Sequence, residues 1–356
     1  MSLRHSLFKM LFALAILIAT SSTACAAEKV IFAWPGAGSS SLAPFAFAKE
    51  LGYFKDENIE LEIVHLAGAA TIIPQLVSGD ILTTYIALDP LIIARQPGKP
   101  NFDMKFAYKA VRNSAWEIAV LDSSPIHSIK DLEGKTIGVG ALTFGNVPMT
   151  KAILNRAGVK AEIVAVGVGE PGFHALRTGK IDALNLWDVQ DAMLEQQGTK
   201  IRRLQFPPEF VGVTSHSMPF TNKAIREKGD LIGRFGRAVS KGTVACVANP
   251  EGCLDAYWKM YPATKPSSDR AKAIAFEMPL LQSRLKNLVM WNEGEPHQFG
   301  LFSDRDWSAA IESLQAGGQI ENTKLDYSTL YTNQFVDAFN KFDQAEVERQ
   351  AKAYKQ

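Results

Sequence analysis

The run Asp131-Leu132-Glu133-Gly134-Lys135-Thr136-Ile137-Gly138-Val139-Gly140 decides the fold class. Its second half is short, apolar and rich in small residues, the pattern of a parallel strand buried on both faces. Ala141 to Pro148 carries turn residues, and a helix follows from Met149 to Ala157, where Gly158 stops it. Asn146 is read as the cap of this helix and Pro148 as part of its first turn. Further along come a strand at 161–166, a helix at 173–178 ended by Gly179, and a strand at 181–187 closed by Trp187.

The same grammar precedes this stretch. Strands are expected at 30–34, 61–66 and 81–86, with helices at 44–51 and 70–78 between them. Leu76-Val77-Ser78-Gly79-Asp80-Ile81 and Leu176-Arg177-Thr178-Gly179-Lys180-Ile181-Asp182 both read as helix, glycine cap, buried strand. Two such βαβ series call for parallel sheets with ligand loops at the carboxyl ends of the strands. Strands at 105–111 and 116–121 join the halves. Helices follow at 224–228, 231–247, 254–260, 269–286, 304–316 and 329–342, and the tail beyond Asp343 reads as a charged, frayed helix.

Arg4 and Lys9 precede an apolar run from Met10 to Ala19, and Ala24-Cys25-Ala26 supplies a small-x-small site, so residues 1–26 are expected to be a secretory signal peptide. The run is short for a membrane span. Lipidation of Cys25 is an alternative, but Ser22-Thr23-Ala24 lacks the usual leucine. Without the leader, the 38 basic and 37 acidic residues stay close to balance, which argues against nucleic-acid and anionic-membrane partners. In an exported chain, Cys246 and Cys253, flanking the helix break Asn249-Pro250, are read as a disulfide, with two free thiols as the alternative.

Pro44-Phe45, Ala48-Lys49-Glu50-Leu51-Gly52-Tyr53-Phe54, Ser78-Gly79-Asp80, the run from Asp131 to Val139 and Gly179-Lys180-Ile181-Asp182-Ala183 stand in order and at fitting spacings. Together they resemble the periplasmic substrate-binding proteins of ABC importers, in the branch that handles nitrate, sulfonates, taurine and thiamine-pyrimidine precursors. The resemblance covers most of the chain after the leader. It implies an α/β fold of type II-like character, with two lobes of parallel-rich sheets flanked by helices, joined by two crossing hinge strands and closing over ligand. On that plan 27–114 begins lobe 1, 115–215 is lobe 2, and 216–356 returns to lobe 1 and adds bracing helices. The crossings are expected near 113–120 and 211–217. The cysteine-rich motif of pyrimidine-forming relatives is missing, which speaks against that enzymatic branch.

The candidate ligand residues sit on the strand-end loops, and each has a plainer structural reading. Trp34 would stack on ligand, or pack in the core. Gly38, Ser39 and Ser40 would donate from a helix start, or form an ordinary turn. Asp89 would accept from an amine or hydroxyl, or begin a helix. Asn113 and Trp116 stand at the handover between lobes. Thr143, Phe144, Gly145 and Asn146 form the loop of the opening stretch. Glu170 follows two glycines, and Trp187 and Asp188 close the last strand of the second series. His216 falls on a hinge strand and is read first as structural.

Enzyme readings fare worse. Gly36-Ala37-Gly38-Ser39-Ser40-Ser41 lacks the third glycine of a dinucleotide fingerprint, and the P-loop spacing from Gly140 to Gly145 meets Asn146 where the lysine belongs. The six histidines are scattered and form no zinc motif. No cofactor and no metal are expected. The aromatic residues suggest an organic ligand with an apolar part, and the helix starts suggest a carboxylate or sulfonate end. The chain therefore reads as a monomeric, periplasmic capture protein delivering a small organic ligand to an ABC permease. A sensor module on the same lobes and a small-molecule enzyme are the rival classes.

Overall fold

The computed structural model describes residues 26–355 except 143, 208, 209, 211, 212, 292 and 293. The leader with Cys25, the ligand candidate Thr143 and the hinge positions Val211 and Gly212 therefore lie outside the described residues. Strand β1 (Glu28–Pro35) leads to helix α1 (Ala43–Glu50), β2 (Ile59–Leu66), α2 (Ala69–Ser78), β3 (Thr83–Thr84) and α3 (Asp89–Ala94). Then β4 (Met104–Val111) and β5 (Trp116–Leu121) follow on either side of a short crossing. The second series runs β6 (Thr136–Val139), α4 (Asn146–Ala157), β7 (Glu162–Ala165), α5 (Glu170–Arg177), β8 (Ala183–Trp187), α6 (Asp188–Gln196) and β9 (Ile201–Arg203). The chain returns through β10 (His216–Thr221) to α7 (Gly229–Ala248), α8 (Pro250–Met260), α9 (Arg270–Val289), α10 (Asp304–Ala316) and α11 (Gln344–Ala353).

Two sheets of the same plan result. In the second, the order is β7-β6-β8-β5-β9, with β6 parallel to both neighbours and β5 antiparallel to β8 and β9. In the first, β2-β1-β3 are parallel and β10 pairs antiparallel with β4. The two parts are joined where Ile86 bridges Ser217 and where the Thr83 hydroxyl donates to the Pro219 carbonyl at 2.7 Å. That shift of pairing partner from β1 to β10 explains why the strand expected at 81–86 is regular only at Thr83–Thr84.

Each sheet is apolar on both faces because helices cover both. Along β1, Val30, Phe32 and Trp34 join the core beneath α1, α7 and α8, while Ala33 joins a second core with α2, α3 and α10. Around the second sheet, Ile118, Val120 and Ile137 pack with α4, and Leu184 and Leu186 pack with Phe173 and Leu176 of α5.

The carboxyl-terminal region departs from expectation twice. The helix expected at 329–342 shrinks to Val336–Phe339, preceded by a 3-10 turn. Asn333 and Asn340 exchange side-chain hydrogen bonds with the backbone of Phe302 and Phe299, giving the chain an alternative to helix. The tail, conversely, has an apolar face. Val347 and Ala351, one turn apart on α11, are buried against α7, and Asn249 donates to the Ala351 carbonyl at 2.8 Å. Cys246 and Cys253 are joined by a disulfide between α7 and α8, with Cα atoms 5.1 Å apart.

Candidate functional site

The two sheets present the loop-bearing ends of their strands to each other, and those ends are aromatic. From the first come Trp34 at the end of β1, Tyr85 just beyond β3 and His216 at the start of the antiparallel β10. From the second come Phe144 after β6, Trp187 at the end of β8 and Trp116 at the start of the antiparallel β5. Trp34 stacks on Tyr85 at 5.0 Å between centroids, and Tyr85 stacks on His216 at 5.4 Å. His216 then meets Trp116 at 5.1 Å, which carries the chain of rings across to the other sheet. Trp116 contacts Trp187 edge-on at 6.2 Å, and Trp187 contacts Phe144 at 6.5 Å. Residues distant in sequence thus form one aromatic seam between the lobes, a surface suited to flat apolar groups.

Polar groups border the seam. Asp89, half-buried at the start of α3, lines a small cavity with Ala87, Trp116, Gly145, Met149 and Ser215. Burial pushes its carboxyl up to about 7, opposed only by its own backbone N–H. Burial together with the nearby Arg284 guanidinium pushes His216 down to about 3, so its imidazole is neutral. Asp188 opens α6, where it accepts from the Val189 N–H at 2.8 Å, from Arg284 at 2.7 Å and from Asn287 at 2.7 Å. Arg284 and Asn287 belong to α9, which packs on the first sheet's helices, so these bonds cross between lobes.

The crossings themselves are tied together. The Ser215 hydroxyl donates to the Asn113 carbonyl at 3.2 Å, and the Asn113 side chain donates to Met290 at 3.3 Å. Asn113 is thereby part of the joint between the chain's two passages. Gly145 touches the opposite lobe directly, since a Cβ there would stand 2.9 Å from the Ala87 Cβ and 3.4 Å from an Asp89 oxygen.

Other expected residues stand apart from the seam's ring contacts. Asn146 does not cap α4 but is its first residue, and Gly145 takes the cap position without a side-chain bond. The Asn146 side-chain amide is fully buried and donates to the Asn185 carbonyl at 2.8 Å and to the Asn185 side chain. Ser39 precedes a 3-10 turn and makes no side-chain cap, while Gly38 faces His65 and Tyr257. Ser40 is buried beside Glu277, whose carboxyl burial pushes up and the Ser40 hydroxyl partly pulls back. Glu170 is exposed at the start of α5 and pairs with Arg177 of the same helix.

Tyr85 and Arg284 were not among the expected residues. Arg284 carried a signal. It sits at the spacing of Leu280, Leu281, Leu285 and Leu288, so a cation occupies the buried stripe of α9. A charge in an apolar stripe must have a partner or a use. Tyr85 lay one residue beyond the regular part of β3, where only the pairing with β10 places it.

Two α/β lobes of matching topology, with strand-end loops facing across a double crossing, make up the fold of periplasmic solute-binding proteins. The aliphatic sulphonate binding protein of Escherichia coli superposes with a TM-score of 0.63 at 16% identity, over 86% of this chain and 92% of that one. An alkanesulfonate-binding protein from Xanthomonas axonopodis pv. citri gives 0.62 at 14%, over 86% and 99%. The chain belongs to the NMT1/THI5 like family, whose model matches residues 39–253. Among curated proteins it is similar to the riboflavin-binding protein RibY of Chloroflexus aurantiacus, 24% identical over 83% of this chain and 82% of that protein. It is also similar to the formylaminopyrimidine-binding protein of Halalkalibacterium halodurans, 27% identical over 58% of this chain and 63% of that one.

Proposed function

We propose that this protein is the extracytoplasmic capture component of an ABC-type uptake system. It takes a small organic molecule with a flat ring between its lobes and hands it to a membrane permease. The observation that carries this reading is the aromatic seam, in which Trp34, Tyr85 and His216 of one lobe meet Trp116, Trp187 and Phe144 of the other. A ring entering there would replace ring–ring contacts with contacts of its own, so closure costs little reorganisation. The names of the two curated relatives, one for riboflavin and one for a formylaminopyrimidine, point to the same ligand class.

The balance of charge favours a neutral, hydrogen-bonding ring over a carboxylate or sulfonate. The start of α6, where an anion would dock, is filled by the carboxylate of Asp188. Asp89 adds a second acid at the seam, beside an Arg284 guanidinium that is already paired with Asp188. The function proposed is binding without chemistry, and the ligand favours the closed form over the open one through contacts that it makes only there.

A thermal-shift screen tests the reading, with flavins, pyrimidines and purines set against nitrate, alkanesulfonates and aliphatic carboxylates. Saturable stabilisation by flat heterocycles, with quenching of tryptophan fluorescence and no turnover, is the expected result. Stabilisation by alkanesulfonates alone would move the protein to the other ligand class, and conversion of any compound would make it an enzyme.

A further inference from the structure

Arg284 has donors to spare. The residue is 3% exposed, and its Nη2 is held by Asp188 at 2.7 Å, yet Nε and Nη1 have no hydrogen-bond partner among the described residues. A buried guanidinium with open N–H groups is costly unless something fills them. The guanidinium acts electrostatically on both Tyr85 and His216 and lies within weak hydrogen-bonding reach of the Tyr85 hydroxyl, and those two rings form the middle of the aromatic seam. The Nδ1 atom of His216 is likewise buried without a partner among the described residues. Open polar atoms from α9 and β10 thus stand beside the aromatic seam, where a flat ring would lie.

We infer that Arg284 is a ligand-contacting residue that donates to an oxygen acceptor on the edge of the bound ring, so the preferred ligands are ring systems bearing oxo groups. Two features of the site support an uncharged oxygen. The guanidinium is already neutralised by Asp188, and Asn287 fixes that carboxylate at 2.7 Å, so an added anion would leave uncompensated negative charge in a buried site. A ring carbonyl would accept both donors with no change in net charge. Asp188 belongs to the second lobe and Arg284 to the first lobe's helices, so the donor set is oriented only when the lobes meet. This inference rests on the ring-capture reading above.

Calorimetric titration tests it with uracil and riboflavin, which carry ring oxo groups, and with adenine and indole, which do not. The proteins are the wild type, Arg284→Gln, and the double variant Arg284→Gln with Asp188→Asn. The double variant leaves no unpaired charge between the lobes, and circular dichroism checks that each protein folds. Loss of roughly 10- to 100-fold in affinity for the oxo rings in both variants is expected, with adenine and indole affinity changed less than about threefold. Equal weakening of both ring classes would overturn the inference and leave Arg284 as a joint between lobes. So would unchanged binding of the oxo rings. If the wild type binds no ring of either class, the ring-capture reading falls and the inference falls with it.

Discussion

At Gly145 the absence of a side chain matters for closure and not for backbone conformation, because the residue has ordinary right-handed geometry with φ of −64°. A Cβ there would come 2.9 Å from the Ala87 Cβ, which has no rotamer with which to give way. Gly145→Ala should therefore lower the melting temperature of the free protein by disfavouring its closed arrangement, and weaken ligand binding by roughly tenfold if closure costs 1 to 2 kcal/mol more. Calorimetry against the best ring ligand reads the effect, and Ala87→Gly in the same chain should restore it. Asp89 makes a separate prediction. Its folded-state carboxyl stands at about 7 against 3.8 for the free group, so the folded state holds the proton more tightly than the unfolded chain. The stability this contributes is present below pH 3.8 and is lost as pH rises to about 7. His216, pushed down to about 3 from 6.5, acts with the opposite sign and costs stability as pH falls below 6.5. Asp89→Asn should flatten the decline of melting temperature between about pH 4 and 7 relative to wild type, and parallel curves would remove the assignment.

Among the elements, the α7–α8 corner combines three local devices. Asn249 breaks the first helix and caps the second by accepting from the Gly252 N–H at 2.9 Å, Pro250 opens α8, and the disulfide closes the turn. A closed loop of this size is worth about 2 to 3 kcal/mol in the chain-entropy description. Reduction, or Cys246→Ala with Cys253→Ala, should lower the urea midpoint by a corresponding amount with little change in ligand affinity, since neither cysteine belongs to the strand-end loops that carry the aromatic seam. Elements of this kind were legible in the sequence because their signals are local. The βαβ order, the glycine stops at 79, 158 and 179, and the helix break at Asn249 all act within a turn or two of where they stand. What escaped was set by partners far along the chain. The segment at 329–342 looked helical until Asn333 and Asn340 found the backbone at 299–302, and α11 looked frayed until α7 covered Val347 and Ala351. At the candidate site, Trp34, Phe144 and Trp187 were readable from loops and strand ends, and Trp116 from the handover between the lobes. Tyr85 and Arg284 were not, because pairing with β10 and contact with the opposite lobe place them there.

At the scale of the whole molecule, the helices after β10 do more than complete the first lobe. Helix α9 reaches over to α6 of the second lobe, where Arg284 and Asn287 hold Asp188. Helix α10 reaches over to α4, where Asn155 donates to the Ala316 carbonyl at 2.9 Å. Both helices stand beside the crossings, since Arg112 donates its N–H to Asn287 at 2.9 Å and the cavity beside Ser215 is also lined by Ala310 and Leu314. Opening the lobes therefore means more than turning about two strands, because it must also part α6 from α9. Asp188 is the residue on which that contact turns. Asp188→Ala would leave the Arg284 guanidinium buried and unpaired, a penalty on the order of 3 to 5 kcal/mol that the molecule can relieve by letting the lobes separate and water reach the charge. Small-angle X-ray scattering of the ligand-free variant should then give a larger radius of gyration than wild type, while the wild-type curve should match the closed arrangement of the seam. Asp188→Asn, which keeps an acceptor for Arg284, should fall between the two. If all three curves superpose, the lobes are held by the ring contacts of Trp116 with His216 and the packing of Gly145 on Ala87, and the ion pair does not govern opening.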